Sequence, residues 1–358
     1  MRICYLADAG SIHTRRWCDH FRMLGHEIHL VSFREGNIPG VTFHLLNSGE
    51  IKTSGGNWKV LLKAGNLKKI LRKIKPDILH AHYATSYGTL GALSGFHPYI
   101  ITTLGTDVLI SPNESIIYRM ILKFAFRRAD WITAMADHMK IAIIRLGISE
   151  KKVSTVMFGI DPKIFSTKNR VVDENKFVIT STRNFEPVYN LELLLDALKD
   201  MKGKIPGLEI NLIGDGSLRK NLEEKVFSYG LSDIVNFYGK VDQTEIAATL
   251  KRTNLFITTS LSDGNNISLN EAMACGVVSI ATDIPANRFW MKDGVNGFLV
   301  PVDDPLVLVD KILYVYKHYK EIEKSALEHN EYMINSYALF ENNMRIVENK
   351  YNSLLLEK

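Results

Sequence analysis

Two acidic residues that lie eight positions apart, Asp263 and Glu271, bracket a polar turn with the means to bind a sugar. The apolar run at 255–259 predicts a strand before this turn, and a helix is expected to start near Ser268. First-turn N–H groups are free donors at the positive end of the helix dipole, so they suit a diphosphate. The two carboxylates would accept hydrogen bonds from sugar hydroxyls, and the backbone amides of Gly264–Asn266 would add donors.

The same segment also has simpler interpretations. Ser268 and Glu271 have the spacing of a capping box, in which the glutamate only satisfies backbone donors at the start of a helix. Asp263 followed by Gly264 is also an ordinary turn dipeptide. From the residues alone, the binding interpretation and the structural interpretation both stay open.

Two further polar residues follow predicted strands. Arg183 comes after the strand expected at 177–182, and its guanidinium offers paired donors that suit a diphosphate. The alternative for an isolated arginine is a plain surface position. Asp107 comes after the strand expected at 99–103, where it either binds a sugar hydroxyl or caps the next turn.

Short β-rich runs alternate with amphipathic helical runs, a pattern typical of βαβ units around a parallel sheet. The first helix is expected to begin after Thr14 as its N-cap. In the first half, strands are predicted at 2–7, 28–33, 77–82, 99–103, 131–135 and 153–158. In the second half, strands are predicted at 177–182, 208–213, 234–238, 255–259 and 277–281.

This order of elements predicts an α/β protein with two Rossmann-like, doubly wound parallel-sheet domains that face each other across a cleft. We expect an N-terminal domain at residues 1–165 and a second domain at 176–335. A C-terminal helix at 336–358 is expected to pack back toward the N-terminal domain. Doubly wound domains bind ligands outside the carboxyl ends of their strands, which makes the polar residues at those ends candidates for the site.

The composition is that of a globular protein, with 46% hydrophobic and 23% charged residues. Glycines, His97 and Pro98 interrupt the most apolar stretch, 87–104, so no membrane-spanning helix is expected. The first residues lack the pattern of a secretory signal. The three cysteines lack the spacing of a zinc or redox site, which predicts buried, reduced thiols and a cytoplasmic location.

The charge is unevenly distributed along the chain. Residues 1–163 contain 22 Lys and Arg against 12 Asp and Glu, whereas the remainder contains 22 against 27. Part of the basic excess recurs at helical spacing among leucines and isoleucines, which favours either peripheral contact with an anionic membrane or a solvated helix face. No nucleic-acid recognition module accompanies this charge, so nucleic-acid binding is not expected. The basic residues of this run are Lys59, Lys63, Lys68, Lys69, Arg72, Lys73 and Lys75.

Three histidines, His13, His80 and His82, invite a test for a metal site. His80 and His82 alternate along a predicted strand, and this spacing suits a structural role at least as well as a ligand set. No carboxylate pair with D-x-D spacing accompanies them, so no metal site is predicted.

The acidic pair and the run that follows it resemble the retaining nucleotide-sugar glycosyltransferases of family 4, which have the two-Rossmann GT-B fold. The hallmark of that family is an E-x7-E pair running into an EAMACG-like helix, and residues 271–276 read Glu-Ala-Met-Ala-Cys-Gly. The first acidic position departs from the pattern, because Asp263 stands where Glu is usual. Further segments match in the family's order: 10–33, Pro76–His82, Gly214–Gly216, Val241–Asn254 and Asp293–Val300.

The resemblance implies a role for each candidate residue. Glu271 would hold the donor ribose, while Asp263 and the turn Gly264, Asn265 and Asn266 would face the donor sugar. Arg183 would bind the diphosphate, and the loop with Gly10 and His13 would lie over the donor phosphates. Two positions depart further: Val188 replaces the usual Lys, and Gly105 replaces a His that helps hold the sugar.

The implied activity is retaining sugar transfer from a nucleotide-diphosphate sugar to a saccharide or lipid-linked acceptor. The nucleotide sugar would be a co-substrate, with no cofactor and no metal required. Two alternatives remain: a sugar-nucleotide epimerase of the same fold, and a non-catalytic subunit, since family positions are altered.

Overall fold

The computed structural model describes residues 1–46 and 62–357. The chain forms two compact units, one of Met1–Phe158 with Met344–Lys358 and one of Gly159–Asn343. Each unit contains a parallel sheet with helices in its connections, which confirms the predicted α/β class with two doubly wound sheets. None of the described helices is long and apolar enough to cross a membrane.

The first unit contains a seven-stranded parallel sheet in its described residues, with the order β3-β2-β1-β4-β5-β6-β7. Its strands β1 to β7 are Arg2–Leu6, Glu27–Ser32, Thr42–Leu45, Ile78–His82, Tyr99–Thr102, Trp131–Ala134 and Val153–Thr155. Its helices α1 to α7 are Ile12–Met23, Ala64–Ile74, Thr89–Ser94, Thr106–Leu109, Ser111–Glu114, Ile116–Arg128 and Asp137–Arg145.

The second unit contains a six-stranded parallel sheet with the order β10-β9-β8-β11-β12-β13. Its strands β8 to β13 are Phe177–Ser181, Leu208–Ile213, Val235–Gly239, Leu255–Thr258, Val278–Thr282 and Gly297–Val300. Its helices α8 to α14 are Leu191–Lys199, Arg219–Ser228, Gln243–Leu250, Ile267–Ala274, Pro285–Arg288, Pro305–Lys317 and Tyr319–Met333. A last helix, α15, spans Phe340–Leu356.

Both sheets place their first strand beside a later one, so that the strand order reverses between β1 and β4 and between β8 and β11. Open α/β sheets bind ligands at such a reversal, outside the carboxyl ends of the strands. Strands buried on both faces read as continuous apolar runs, and every residue of β4, β5, β6 and β8 is buried. This burial explains why the runs stand out in the sequence.

Two strands and one helix start differ from the sequence prediction. The edge strand β3 is only half-buried, so it lacks an apolar run, and β13 is a four-residue strand inside a glycine-containing segment. Helix α1 begins at Ile12 after Ser11, three residues before the position that Thr14 as an N-cap would give. The prediction for Thr14 was wrong because its side chain is buried inside the helix. Cys4, Cys18 and Cys275 are buried and unpaired, as predicted.

An aromatic and histidine cluster fills the centre of the first unit. The ring of Trp17 lies edge-on to His80 and His82, with centroids 5.2 and 4.8 Å away. Nδ1 of His80 lies 2.5 Å from the hydroxyl of Tyr351 on α15, and Nε2 lies 2.7 Å from Oγ1 of Thr102. The cluster therefore ties α1, β4 and α15 together.

The histidines of this cluster are held in the neutral form. Burial, together with the neighbouring His13, lowers the pKa of His82 to about 3. Burial lowers the pKa of His80 well below its usual value. His13 packs against Phe158, and burial with nearby Arg16 lowers its pKa to about 4. Since charging these side chains is disfavoured only in the folded chain, acid should favour unfolding.

Stability should therefore fall as the pH drops below about 6.5, where histidines of the unfolded chain take up protons and the buried ones do not. At pH 5, each of His13, His80 and His82 should lower the free energy of unfolding by about 2 kcal/mol. Urea unfolding followed by tryptophan fluorescence at pH 7 and pH 5 measures the difference. His82→Leu should reduce it, whereas His318→Gln, at an exposed position, should not. An unchanged urea midpoint between the two pH values would contradict neutral burial.

Candidate functional site

The second sheet brings Arg183 and the acidic turn together. Strands β8 and β11 are neighbours, paired through Ile179 with Leu255. Arg183 follows β8 by two residues, and the turn containing Asp263 follows β11. Because parallel strands end at the same edge, both segments meet at the point where the strand order reverses.

Arg183 is the centre of this site. Its Nη2 donates to Oδ2 of Asp263 over 2.5 Å, and its Nη1 donates to Oδ1 of Asn266 over 3.0 Å. The two charged side chains are only 8% and 13% exposed, so this is a largely buried ion pair. Nε of Arg183 is buried without a hydrogen-bond partner. The structure therefore fixes the guanidinium in place and leaves one of its donors unused.

Tyr189 also belongs to this site, although no role was predicted for it from the sequence. The guanidinium carbon of Arg183 lies 4.1 Å from the centroid of the Tyr189 ring, a cation–π contact. The short helical turn Pro187–Tyr189 is held to the end of β11, since the carbonyl oxygen of Tyr189 accepts from Oγ1 of Thr259. Val188 lies in the same turn, so the residue next to the altered family position supports the arginine. An aromatic residue six positions after Arg183 was the available signal.

The glycines of the Gly214-Asp215-Gly216 turn allow the Arg183 segment to approach closely. A Cβ on Gly214 would overlap the carbonyl oxygen of Arg183, and a Cβ on Gly216 would overlap that of Phe185. Backbone hydrogen bonds hold the two segments together, from Phe185 N to Asp215 O and from Leu218 N to Phe185 O. This turn, a weak motif in the sequence, therefore positions the backbone that carries Arg183.

Asn266 connects the turn to three neighbouring segments. It is the N-cap of α11, and its Oδ1 accepts from Leu269 N at 3.2 Å as well as from Arg183. Its Nδ2 donates to Oγ1 of Thr258 at 3.1 Å and to Oδ1 of Asn287 at 2.9 Å. The side chain is fully buried and all its polar atoms are bonded, so only its backbone is left for a ligand.

The capping-box interpretation of Glu271 is wrong. That interpretation needs Ser268 as the N-cap, whereas the structure has Asn266 there and starts α11 at Ile267. Glu271 lies in the second turn of the helix and is 7% exposed. The predicted ribose contact of Glu271 stays a prediction.

Asn265 also turns its side chain inward. Its Oδ1 accepts from Nε1 of Trp290 at 3.0 Å, and its Nδ2 is buried without a partner. Gly264 between Asp263 and Asn265 is buried. The donor contacts predicted for this turn would therefore have to come from backbone amides, as the sequence analysis expected for Gly264–Asn266.

Three predicted site residues, Gly10, His13 and Asp107, lie in the first unit. Gly10 is exposed, with its N–H donating to Oδ1 of Asp8 at 3.0 Å, in the loop after β1. His13 lies on α1 with its ring stacked on Phe158 at 4.2 Å, and its Nδ1 is buried without a partner. Their predicted phosphate contacts stay predictions. At neutral pH a phosphate would meet His13 as an uncharged ring, because its pKa is lowered.

Asp107 has a different environment from the one a sugar contact requires. It is fully buried, and its carboxylate accepts from Ala84 N, Leu104 N and Gly105 N at 2.7, 3.0 and 2.9 Å. Burial raises the pKa of Asp107, against the opposing effect of these backbone donors. The structure favours the second of its two expected roles, in which it fixes the loop after β5.

The described residues contain no group of three or more His, Cys, Asp or Glu arranged to hold a metal ion. His80 and His82 instead belong to the aromatic cluster of the first unit.

Comparison with known proteins shows the family of the chain. The sequence profile "Glycosyl transferase 4-like" matches residues 2–136, and "Glycosyl transferases group 1" matches residues 163–334. An uncharacterized glycosyltransferase of Methanocaldococcus jannaschii is 30% identical over 268 residues, covering 74% of this chain and 72% of that protein. The chain is a glycosyltransferase.

Other similar proteins have more specific names. The UDP-Gal:α-D-GlcNAc-diphosphoundecaprenol α-1,3-galactosyltransferase of Escherichia coli is 25% identical to this glycosyltransferase over 261 residues, which are 67% of this chain and 66% of the relative. A sucrose-phosphate synthase from Thermosynechococcus elongatus superposes with a TM-score of 0.87 over 100% of both chains at 17% identity. Anabaena HepE in complex with UDP-glucose gives 0.81 over 99% of this chain and 100% of that one, also at 17%. These structural likenesses confirm the GT-B fold.

Asn266→Ala should destabilise this glycosyltransferase strongly, because it removes the cap of α11 and leaves buried partners unsatisfied at Thr258, Asn287 and Arg183. Each unsatisfied buried group costs about 1–3 kcal/mol, and a lost cap costs about 1 kcal/mol. Thermal unfolding measures the loss, with Asn184→Ala at an exposed position as the matched control. Equal melting temperatures for the two variants would show that the Asn266 network carries no stability.

Proposed function

We propose that this glycosyltransferase is a retaining enzyme of family 4 that takes a sugar from a nucleotide-diphosphate donor. The observation that carries the proposal is the guanidinium of Arg183, held by Asp263, Asn266 and Tyr189 at the strand ends where doubly wound sheets bind ligands. The resemblance of residues 271–276 to the EAMACG-like helix supports the family placement. UDP sugars are the favoured donors, because HepE has been solved with UDP-glucose.

The reaction replaces one bond at the anomeric carbon. The acceptor hydroxyl oxygen forms the new glycosidic bond, and the bond to the diphosphate oxygen breaks with its electrons leaving on the nucleoside diphosphate. The hydroxyl proton passes to the departing phosphate or to water. Negative charge therefore grows on the diphosphate, and donors aimed at it stabilise the transition state.

Arg183 and the first turn of α11 are the proposed source of that stabilisation. The N–H of Leu269 already donates to Oδ1 of Asn266, so the first-turn donors left for a diphosphate are the N–H groups of Ile267 and Ser268. The buried Nε of Arg183 also lacks a hydrogen-bond partner. A charged donor in a water-poor site acts more strongly on a phosphate than one in bulk solvent. The proposal assigns no step to a metal, since the positive charge comes from the chain.

Asp263 is proposed to act first on Arg183. Without its carboxylate, a guanidinium that is 8% exposed would lack a counter-charge, which is costly. The carboxylate also sets the direction of Nη2, so Asp263 positions the arginine whether or not it contacts the sugar. Contact with the donor sugar, and the ribose contact of Glu271, remain parts of the proposal taken from the resemblance.

The proposed acceptor is a saccharide or a lipid-linked saccharide in glycan synthesis, used at the cytoplasmic face of a membrane. The support is the Escherichia coli relative, whose name specifies a diphosphoundecaprenol-linked acceptor.

Incubation of the purified protein with UDP, GDP, ADP and TDP sugars and a panel of acceptors tests the function. We expect glycoside formation from one donor class with EDTA present, and NMR should show the donor's anomeric configuration in the product. An inverted product would refute the retaining assignment, and activity lost to EDTA and restored by Mg²⁺ would refute metal independence. Isomerised donor without transfer would favour the epimerase. Donor binding without turnover would favour a non-catalytic subunit.

Arg183→Ala should lower kcat by about 10²–10³-fold, as loss of one preorganised donor to a developing anion does in other enzymes. Arg288→Ala is the matched control, because Arg288 forms an exposed ion pair with Asp283 in the same unit. Steady-state kinetics with saturating donor, together with thermal unfolding, separate a catalytic loss from a folding defect. A kcat for Arg183→Ala within a few-fold of the control would remove the arginine from the proposed chemistry.

A further inference from the structure

Helix α6 presents large apolar side chains to solvent. Its buried side consists of Leu122, Ala125 and Phe126. On its other side, Ile116, Met120 and Phe124 are 69%, 65% and 41% exposed. Because a surface helix normally turns polar residues outward, a contiguous apolar stripe of this kind marks a binding surface.

Cations border this stripe. At about 100° of rotation per residue, Ile116, Met120 and Phe124 fall within an arc of about 80°. Arg119 and Lys123 lie on one side of this arc, and the exposed Arg128 lies on the other. The exposed Arg127 lies within the arc, one turn beyond the last apolar residue of the stripe. The helix contains four basic residues and no acidic one, although the exposed Glu114 precedes it.

Helix α2 adds charge to the same surface but no apolar face. Its Leu67, Leu71 and Ile74 are buried in the protein, so the expectation that an amphipathic helix here could lie on a membrane by its apolar side is wrong. Lys59 of that prediction lies outside the described residues. The exposed basic residues of the helix region are Lys68, Lys69, Arg72, Lys73 and Lys75.

The two helices belong to one layer, since α3 packs against both. An open groove of about 570 Å³ runs beside α2, bordered by Lys68, Arg72 and Lys75 above Leu71 and Phe96. No acidic residue lines this groove. The nearby Asp130 is paired with His97 at 2.7 Å.

We propose that these two helices form a docking surface for an anionic phospholipid bilayer. This α2–α6 face consists of Ile116, Met120, Phe124, Arg119, Lys123, Arg128 and the exposed basic residues of α2. The apolar stripe enters the acyl boundary while the cations bind lipid phosphates, the arrangement of interfacial helices in general. The inference deepens the membrane location within the proposed function and is tested separately from sugar transfer.

Charge complementarity decides for a bilayer over other partners. A nucleic acid would use the cations but would leave the apolar stripe uncovered. A second copy of this face would bring two sets of cations together without acidic partners. An anionic bilayer is the occupant that satisfies both the charge and the apolar surface.

Sedimentation of the purified protein with vesicles measures docking. We expect binding to vesicles of phosphatidylcholine mixed with phosphatidylglycerol and little binding to phosphatidylcholine alone. The double variant Met120→Ser/Phe124→Ser should bind these vesicles at least about tenfold more weakly, because two large apolar side chains no longer move from water into the bilayer. Phe227→Ser is the matched control, because Phe227 is 80% exposed on α9 of the other unit.

Each neutralisation of Arg72 or Lys73 to Gln should weaken binding to the anionic vesicles about fivefold, whereas Lys220→Gln should not.

A fluorophore on Met120→Cys reports insertion directly. The native Cys4, Cys18 and Cys275 are buried, so labelling is confined to the new thiol. A blue shift on adding anionic vesicles is expected at position 120, and none at Phe227→Cys. Binding without this shift, or equal binding by the serine variants, would overturn insertion. Self-association or DNA binding that is lost in the serine variants, without vesicle binding, would assign the face to that partner instead.

Transfer to a soluble acceptor by the Met120→Ser/Phe124→Ser variant separates the two proposals. If the variant transfers sugar at the wild-type rate but no longer binds vesicles, both proposals are supported. If the wild-type protein binds vesicles but transfers no sugar, the docking surface is supported and the proposed activity is wrong.

Discussion

Burial of the Arg183 guanidinium is the constraint on which the carboxyl edge of the second sheet depends. A cation almost removed from water needs a counter-charge, hydrogen-bond acceptors and a surface that tolerates positive charge. Asp263, Asn266 and the face of Tyr189 meet these three needs from three different segments. The bare backbone of Gly214 and Gly216 meets a fourth, since it lets the segment carrying the arginine lie against the neighbouring strand end.

This constraint explains why the acidic turn has its shape. All polar atoms of the Asn266 side chain form hydrogen bonds within the protein. A ligand at this turn would therefore bind backbone groups and not the amide side chain of Asn266. Asp263, which has a shorter side chain than the Glu usual at this position, is held by its ion pair with Arg183. The distance between the carboxylate and the guanidinium is thereby fixed. A change of length at that position would move the guanidinium as well as the carboxylate.

Much of the fold followed from the sequence, whereas the ion pair between Arg183 and Asp263 was not predicted. Strands buried on both faces leave long apolar runs, and a polar residue after such a run lies at a sheet edge, so the strands near 177 and 255 and their following residues were predictable. Tyr189 and the role of Asn266 were not, because they depend on contacts between segments far apart in the chain. Asp107 and α2 show the same limit. The sequence indicated a polar loop residue and an amphipathic helix, but tertiary packing decides that Asp107 and the apolar side of α2 face the protein interior.

The position of Tyr351 has a consequence for biosynthesis. The hydroxyl of this residue completes the hydrogen bonding of His80 in the middle of the first unit, and Met344, Val347 and Leu354 are buried with it. Domains usually fold in order as they leave the ribosome. Here the first unit cannot close its core until residues 344–356 have been translated, whereas the second unit, Gly159–Asn343, is already complete by then. The first part of the chain to be made is thus the last to finish folding, and its unclosed core is what a chaperone would meet.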